Sequence, residues 1–304
     1  MFDSLYPALD WLALRGRWPH AGCSQFVRTP NMRWHVQSMG SGPVAVLLHG
    51  TGASTHSWRA FMPLLAQRFQ VIAVDLPGHG FSSPLQQGQR PTLPAVAQAV
   101  QALLAQLKLQ ATLWVGHSAG AAIAARCSLD SLRSAPQTSM RLVGLNPAWL
   151  PLPGTAQWLF PLAAWLIGHN PLAGWLAAKQ AAREGAVARL LDSTGSHLDA
   201  EGLAQYTYLL QQPAHVRGVL QLMAHWDLQR LQGELPNLHC PVRLHIGLND
   251  RTIEPAMADQ ALTLLPHATR RDWPGLGHLA HEEAPDASVQ DIVTWFDGLS
   301  QTGH

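Results

Sequence analysis

The residues Gly116-His117-Ser118-Ala119-Gly120 form a G-x-S-x-G motif. An apolar segment, Leu113–Val115, comes directly before it, and an alanine-rich segment, Ala119–Leu132, follows. These flanks predict a buried strand and a helix joined by a sharp turn. In such a turn the glycines leave space beside a serine whose hydroxyl is exposed as a nucleophile. We therefore predict that Ser118 is a catalytic nucleophile.

A serine hydroxyl becomes a strong nucleophile only when a base takes its proton and an acid orients that base. With this motif the chain order is Ser, then Asp or Glu, then His. Asp250 follows the predicted strand Val242–Ile246, and His278 follows the predicted strand Thr269–Trp273. Because ligands bind beyond the carboxyl ends of parallel strands, we expect both residues beside Ser118. The sequence thus predicts a Ser118-His278-Asp250 triad.

Acyl transfer also needs backbone donors for the oxyanion that forms on the substrate. We expect one donor to be the N–H of Ala119, directly after the nucleophile. The other is the N–H of Thr51, in the loop after the predicted buried strand Val44–Leu48. Glycines at positions 50 and 52 let this backbone approach closely, and they also resemble a phosphate loop. No Gly-Lys-Ser/Thr follows, so nucleotide binding is disfavoured.

Three other polar residues near these motifs have simpler interpretations. Asn146 follows the predicted strand Arg141–Leu145, where such folds can also place the acid, but an amide cannot serve, which favours Asp250. We expect His117 to be packed or to form a pocket wall, and Asp75 to organise a turn.

The segment from His278 to Glu283 contains two histidines and two glutamates, as a metal site would. His278 is already needed as the base. Glu282 and Glu283 precede a predicted helix whose N-terminus favours carboxylates. We therefore predict no metal here and no cofactor for the protein.

The elements that must position these residues alternate between predicted strands and helices. This alternation predicts an α/β fold, with a mostly parallel sheet that helices cover on both faces. Between about residues 148 and 238 the alternation is replaced by a helical pattern broken by prolines. We therefore predict a core formed by residues 1–147 and 239–304, and a helical lid inserted at residues 148–238.

Part of the predicted lid is unusual, because Leu142–Ala178 contains no Asp, Glu, Lys or Arg. We expect aromatic residues of the lid to line a large apolar pocket, namely Trp149, Trp158, Phe160, Trp165 and Trp226. The alternative is that these side chains only pack the insertion onto the core. Five polar lid residues are further ligand candidates, each more often structural: His197, Tyr206, Tyr208, His215 and His225.

The composition excludes several classes of protein. A net charge of +1 on 304 residues gives no electrostatic reason to expect nucleic acid as a partner. Cys23, Cys127 and Cys240 are too far apart for a disulfide framework, which favours a reducing compartment. No secretory signal is evident. We expect a soluble cytoplasmic protein, with peripheral contact at the inner membrane as an open alternative.

Four segments resemble the α/β-hydrolase superfamily: His49–Trp58, Asp75–Ser83, Gly116–Ala124 and Gly277–Glu283. More narrowly, they resemble the magnesium-chelatase accessory proteins of bacteriochlorophyll synthesis, and this resemblance extends into the insertion at Ser193–Ser196 and Ala224–Leu228. It implies a link to magnesium insertion into protoporphyrin and an association with the chelatase. It implies no defined reaction for this chain.

Two functions of different classes follow. The first is a serine hydrolase that cleaves an ester or related acyl bond in a bulky apolar substrate. The second is a non-catalytic helper that binds a porphyrin and delivers it to the chelatase or to a membrane. A haloalkane dehalogenase is disfavoured, because the resemblance implies that dehalogenases of this fold have a carboxylate at the position where this chain has Ser118.

Overall fold

A single mixed sheet organises the computed structural model, which describes residues 6, 8–86, 88–137, 139–151, 170 and 172–301. In this part of the chain the strand order is β1-β2-β4-β3-β5-β6-β7-β8. Strands β3 to β8 run parallel, and β2 is antiparallel to both of its neighbours. The strands are β1 (Ser24–Thr29), β2 (Met32–Met39), β3 (Val44–Leu48), β4 (Gln70–Val74), β5 (Leu113–His117), β6 (Arg141–Leu145), β7 (Val242–Gly247) and β8 (Ala268–Trp273).

Helices cover both faces of this sheet, which confirms the predicted fold class. The α-helices of the described residues are α1 (Trp11–Leu14), α2 (Phe61–Leu65), α3 (Leu93–Leu107), α4 (Ala119–Ser134), α5 (Ala173–Ala181), α6 (Ala186–Asp192), α7 (Ala200–Leu210), α8 (Pro213–Ala224), α9 (Gln229–Glu234), α10 (Pro255–Leu264), α11 (Ala280–Glu283) and α12 (Pro285–Gln301). Short 3-10 turns span Ala21–Cys23, Thr55–Trp58 and Leu235–Asn237.

Alternating side chains of the central strands form two separate cores. In β3, Val46 and Leu48 pack with α3 and α4, whereas Ala45 and Leu47 pack on the opposite face with α2 and α12. Successive side chains of a strand point to opposite faces, so a strand covered on both sides is apolar throughout. This is why the short apolar segments of the sequence correctly predicted the central strands.

Two elements near the N-terminal edge differ from the sequence-based expectation. The edge strand β1 was not predicted, because its alternating residues are only half-buried and include polar side chains. The residue pattern from Trp58 to Arg68 predicts one helix, whereas the structure has a 3-10 turn at Thr55–Trp58 followed by the short helix α2.

The connection from β6 to β7 contains helices α5 to α9. Trp149, near its start, is almost fully buried and packs against Gly144 in the core of the sheet. The segment also contains Trp158, Phe160 and Trp165, which lie outside the described residues. Among the helices that the structure describes, none combines the length and the apolar character needed to cross a bilayer.

Candidate active site

The turn between β5 and α4 carries Ser118 in a strained conformation, with φ of 50° and ψ of −117°. A Cβ atom added to Gly116 would lie 2.4 Å from the Cα atom of Ala121, and one added to Gly120 would lie 2.0 Å from the carbonyl oxygen of Leu48. Neither neighbour can move, because both are backbone atoms of packed elements. The two glycines of the motif are therefore sterically required, as the sequence predicted.

Asp250 and His278 meet beyond the carboxyl ends of β7 and β8. The Nδ1 atom of His278 lies 2.7 Å from Oδ2 of Asp250, and both side chains are buried. The other carboxylate oxygen, Oδ1, accepts the backbone N–H groups of Thr252 (2.7 Å) and Ile253 (2.9 Å). These bonds fix the carboxylate, so it can orient the imidazole and stabilise its protonated form.

Asn146 is a third member of this hydrogen-bond network. Its Nδ2 group donates to Oδ2 of Asp250 at 2.7 Å, so this oxygen accepts from both Asn146 and His278. The backbone of Asn146 has a φ of 43°, a left-handed conformation that asparagine adopts more readily than most residues. Sequence reasoning treated this residue only as an unsuitable acid and missed its contact with the acid.

The loop after β3 passes directly over the serine turn. A Cβ atom on Gly50 would lie 2.7 Å from Nδ1 of His117 and 3.1 Å from Cβ of Ser118. Thr51, Ser118 and Ala119 all line the same cavity. Ala119 is the first residue of α4, where backbone N–H groups have no acceptor within the helix. The two backbone groups expected to bind an oxyanion thus belong to residues on the wall beside the serine.

His117 supports the loop that carries His278. Its Nε2–H donates to the carbonyl oxygen of His278 at 2.9 Å, and the two rings lie 4.7 Å apart. Burial lowers the pKa of His117 well below its ordinary value, so its imidazole stays neutral. His117 is both packed and part of the cavity wall.

A four-residue segment of the β6–β7 connection, Ser193–Ser196, holds both the acid loop and the histidine loop. The carbonyl oxygen of Thr194 accepts the N–H groups of Arg251 (3.1 Å) and His278 (3.4 Å). The hydroxyl of Ser196 accepts the N–H of Leu279 at 2.7 Å. A Cβ atom on Gly195 would lie 2.0 Å from the carbonyl oxygen of Asn249. The only sequence signal for this role was the resemblance at these four residues.

The two glutamates after His278 do not act as the sequence suggested. Glu282 is buried, forms an ion pair with Arg59 and accepts the Tyr206 hydroxyl at 2.8 Å. Burial raises the pKa of the Glu282 carboxyl to about 7, against the opposing effect of Arg59. Glu283 accepts the N–H groups of His197 and Gly277. The carboxylates therefore tie loops and α7 together rather than cap the next helix.

His281 also remains outside any metal site. Both of its ring nitrogens are buried and have no hydrogen-bond partner in the structure. Burial lowers the pKa of His281 to about 3, and its ring packs 4.4 Å from that of His117 and 4.9 Å from that of Trp58. In the part of the chain that the structure describes, no group of histidine, cysteine and acidic side chains is arranged to hold a metal ion.

Asp75 organises the turn after β4. Its carboxylate contacts Nδ1 of His35 at 2.8 Å and accepts the N–H groups of Thr55 and Phe81. Burial raises the pKa of the Asp75 carboxyl, but His35, His49 and the N–H of Phe81 together lower it below its ordinary value. Asp75 therefore has the structural role that the sequence suggested.

A cavity of about 830 Å³ opens above Ser118 and His278. This volume is in the range of sites that bind small molecules. Its far wall is mostly apolar and comes from α6 to α9 of the β6–β7 connection, with contributions from Leu191, Leu210, Val219, Leu222, Met223, Trp226 and Leu228.

The sequence-predicted pocket residues are only partly brought together. Trp226 and Tyr206 line the cavity. Trp149 is instead a core residue, because its indole fills the space that Gly144 leaves under the sheet. His215 bridges two loops, since its Nδ1 accepts the N–H of Gly80 and its Nε2–H donates to the carbonyl of Gly52.

Residues 45–291 match the alpha/beta hydrolase family. The chain is 39% identical over 292 residues to the Magnesium-chelatase 30 kDa subunit of Rhodobacter capsulatus, and the alignment covers 95% of this chain and 100% of that protein. It is 29% identical to the pimeloyl-(acyl-carrier protein) methyl ester esterase of Methylococcus capsulatus, over 85% of this chain and 97% of that one.

A solved structure shows the same fold. The epoxide hydrolase CorEH superimposes with a TM-score of 0.75 over 91% of this chain and 99% of its own, at 23% sequence identity. The family match covers most of the chain, including strands β4 to β8 and all of β3 except Val44. The protein is therefore a member of the α/β-hydrolase family, with the Magnesium-chelatase 30 kDa subunit of Rhodobacter capsulatus among its full-length relatives.

Proposed function

We propose that the protein is a serine hydrolase that cleaves an ester or related acyl bond in a bulky apolar substrate. Ser118 attacks the acyl carbon, His278 takes the serine proton and returns it to the leaving group, and Asp250 orients the imidazole. The N–H groups of Thr51 and Ala119 bind the oxyanion. The observation that carries the proposal is the 2.7 Å contact between His278 and Asp250, on the edge of a cavity that Ser118 also lines.

A labelling experiment tests the nucleophile. A fluorophosphonate probe phosphonylates a serine only when a base activates it, so the wild-type protein should be labelled at Ser118 and Ser118→Ala should not. Ser57→Ala is the control, because Ser57 is a buried serine that lies outside the cavity lining. A folded wild-type protein that stays unlabelled would exclude the proposed catalytic role.

We also propose that residues 148–238 act as a lid over the cavity. The support is that helices from this segment provide most of the apolar wall opposite Ser118. A lid that restricts entry should make the rate of labelling depend on probe size. Crosslinking the lid to the core through a Met223→Cys and Ile253→Cys pair, one cavity-lining residue from the connection and one from the core, should slow labelling by a bulky probe more than by a small one. An equal effect on both probes would argue against a lid.

A second candidate function is porphyrin binding and delivery to magnesium chelatase, without catalysis. It is favoured by the full-length similarity to a relative that is named as a magnesium-chelatase subunit. Trp226 lines the cavity, so a bound porphyrin should quench tryptophan fluorescence. Trp226→Phe should reduce the quenching, and the absence of quenching at micromolar porphyrin would count against this function.

One genetic comparison separates the two functions. In a pigment-deficient strain, restored pigment with Ser118→Ala would show that hydrolysis is dispensable, whereas failure of this variant alone would support catalysis. Co-purification of the chelatase with the wild-type protein would test the association itself.

A cytoplasmic location with reversible membrane contact is a further proposal. It is motivated by the charge-free segment Leu142–Ala178. Co-sedimentation with anionic and with neutral liposomes tests it, and a protein that stays in the supernatant with both would exclude membrane contact.

A further inference from the structure

We propose that the cavity selects against anionic ligands, so that the substrates of this site are uncharged apolar esters and not esters that carry a free carboxylate. This inference deepens the proposed function and rests on it. It concerns the distribution of charge around the cavity and not the identity of the nucleophile.

Positive charge is missing from the cavity wall. The chain has 20 lysines and arginines, and all of them lie among the residues that the structure describes. None of these 20 side chains is among the residues that line the cavity. The residues of the connection outside the described part, 152–169 and 171, cannot add a permanent cation, because they include no lysine or arginine.

The charge that is present at the wall is negative. Asp227 lines the cavity on its solvent-exposed side, and its carboxylate accepts the N–H of Gln229 at the start of α9. Two other titratable groups face the cavity as neutral side chains. Burial holds His117 in its neutral form, and it keeps the Tyr206 phenol protonated by raising its pKa.

A carboxylate that enters such a cavity loses its hydration and gains no cation. Desolvation of an unpaired ion is strongly unfavourable, whereas apolar groups gain free energy on entry. The proposed oxyanion hole cannot compensate, because Thr51 and Ala119 are placed for the oxygen of the reacting acyl group. Exclusion should therefore act on the remote part of the substrate and lower kcat/KM for the charged analogue.

A pair of esters that differ only in a terminal carboxylate measures this selection. The probes are 4-nitrophenyl hexanoate and the mono-4-nitrophenyl ester of adipic acid, which have six-carbon acyl chains and the same leaving group. We expect kcat/KM to be at least about 30-fold lower for the adipate ester. Values within threefold of each other would overturn the inference while leaving the hydrolase function intact.

A charge variant at the cavity wall makes the test specific. Asp227→Asn keeps a side-chain acceptor for the N–H of Gln229, and removes the negative charge. This substitution should lower the ratio of kcat/KM for the hexanoate ester to kcat/KM for the adipate ester by two- to fivefold. The effect is modest because Asp227 is exposed and its charge is screened by solvent. Glu201→Gln, the same change of charge on α7 but outside the cavity lining, should leave the ratio unchanged. An identical narrowing with both variants would show that net charge, and not the cavity, sets the ratio.

The outcome in which neither ester is cleaved is also informative. It would overturn the proposed hydrolase function, and charge selection would then be measured by binding. Protoporphyrin dimethyl ester should quench the tryptophan fluorescence at a concentration at least tenfold lower than the free dicarboxylic acid. Equal quenching by the two porphyrins would overturn the inference independently of any catalysis.

Discussion

Asn146 offers a direct test of the hydrogen-bond network around Asp250. Its Nδ2 group lies 2.7 Å from Oδ2 of Asp250, and its backbone has a φ of 43°. Asn146→Gly removes the amide and tolerates this backbone conformation, whereas Asn146→Asp keeps the shape and replaces a donor with a carboxylate. Because a hydrogen bond to a charged group stabilises by about 1.5–3 kcal/mol, we expect Asn146→Gly to lower the free energy of unfolding by that amount.

The Asn146→Asp variant should be far more sensitive to pH. Two carboxylates 2.7 Å apart repel by about 6 kcal/mol at an effective dielectric constant of about 20. If side-chain rotation removes half of this, about 3 kcal/mol remains, and one carboxyl of the pair keeps its proton near neutral pH. The pKa of that carboxyl is then higher in the folded than in the unfolded protein. The stability it contributes is therefore present at low pH and is lost as the pH rises.

Urea denaturation at pH 5 and pH 8 measures this difference. Subtracting the free energies of Asn146→Gly at each pH removes the pH dependence of the rest of the protein. We expect Asn146→Asp to lose about 3 kcal/mol more than the glycine variant at pH 8, and much less at pH 5. If the Asp variant shows the same corrected stability at both values, the assigned contact with Asp250 is wrong.

Four further changes have expected outcomes. Gly120→Ala should destabilise the fold by more than about 3 kcal/mol, because the added Cβ would lie 2.0 Å from a backbone oxygen. Gly233→Ala, where the added Cβ meets open space on α9, should instead stabilise the fold by about 0.5–1 kcal/mol. Thermal unfolding of both variants measures the two effects. Ser196→Ala should cost about 1–3 kcal/mol by leaving the N–H of Leu279 unpaired, while Ser193→Ala, an exposed neighbour, should change the free energy of unfolding by less than about 0.5 kcal/mol. Ellman's reagent should modify Cys23 in the native protein, but Cys127 and Cys240 only after unfolding. The reason is that burial raises the pKa of the Cys127 thiol and raises that of the Cys240 thiol to about 12. Three fast-reacting thiols in native buffer would contradict this prediction. The free energy of unfolding should fall by at least about 3 kcal/mol between pH 7 and pH 5, because the unfolded chain takes up more protons than the folded protein as the pH falls. The cause is burial, which lowers the pKa values of six histidines in the folded protein: His49, His56, His79, His117, His215 and His281. A urea midpoint that stays constant over this pH range would refute the prediction.

The order and position of the site residues were predictable from sequence for a physical reason. Ser118 and Asp250 each follow a short apolar segment, and segments of that kind form strands buried on both faces. His278 follows the polar strand β8, which is half-buried or exposed and lies at the edge of the sheet. Parallel pairing then places the residues after β5, β7 and β8 at one edge of the sheet. The residue pattern of the strands, together with the rule that parallel strands end at the same edge of a sheet, is therefore enough to predict where these three residues lie.

The contacts that support the site were not predictable in the same way. The partners of Glu282 are Arg59 and Tyr206, which lie far from it in the chain and on different elements. Trp149 shows the same limit, because an indole in a charge-free segment can equally face a ligand or fill the core. The deciding contact is with the space that Gly144 leaves on β6, the strand just before Trp149, and a single sequence does not contain that information.

The way in which Ser193–Ser196 holds two core loops has a consequence for protein engineering. Chimaeras that exchange the whole helical connection between relatives would remove the carbonyl of Thr194 and the hydroxyl of Ser196 from the backbone of His278 and Leu279. Such grafts should lose alignment of the imidazole even when the donor segment folds well. Splice points placed on either side of these four residues, so that they stay with the recipient, would let the rest of the connection be redesigned while the contacts to His278 and Leu279 are kept.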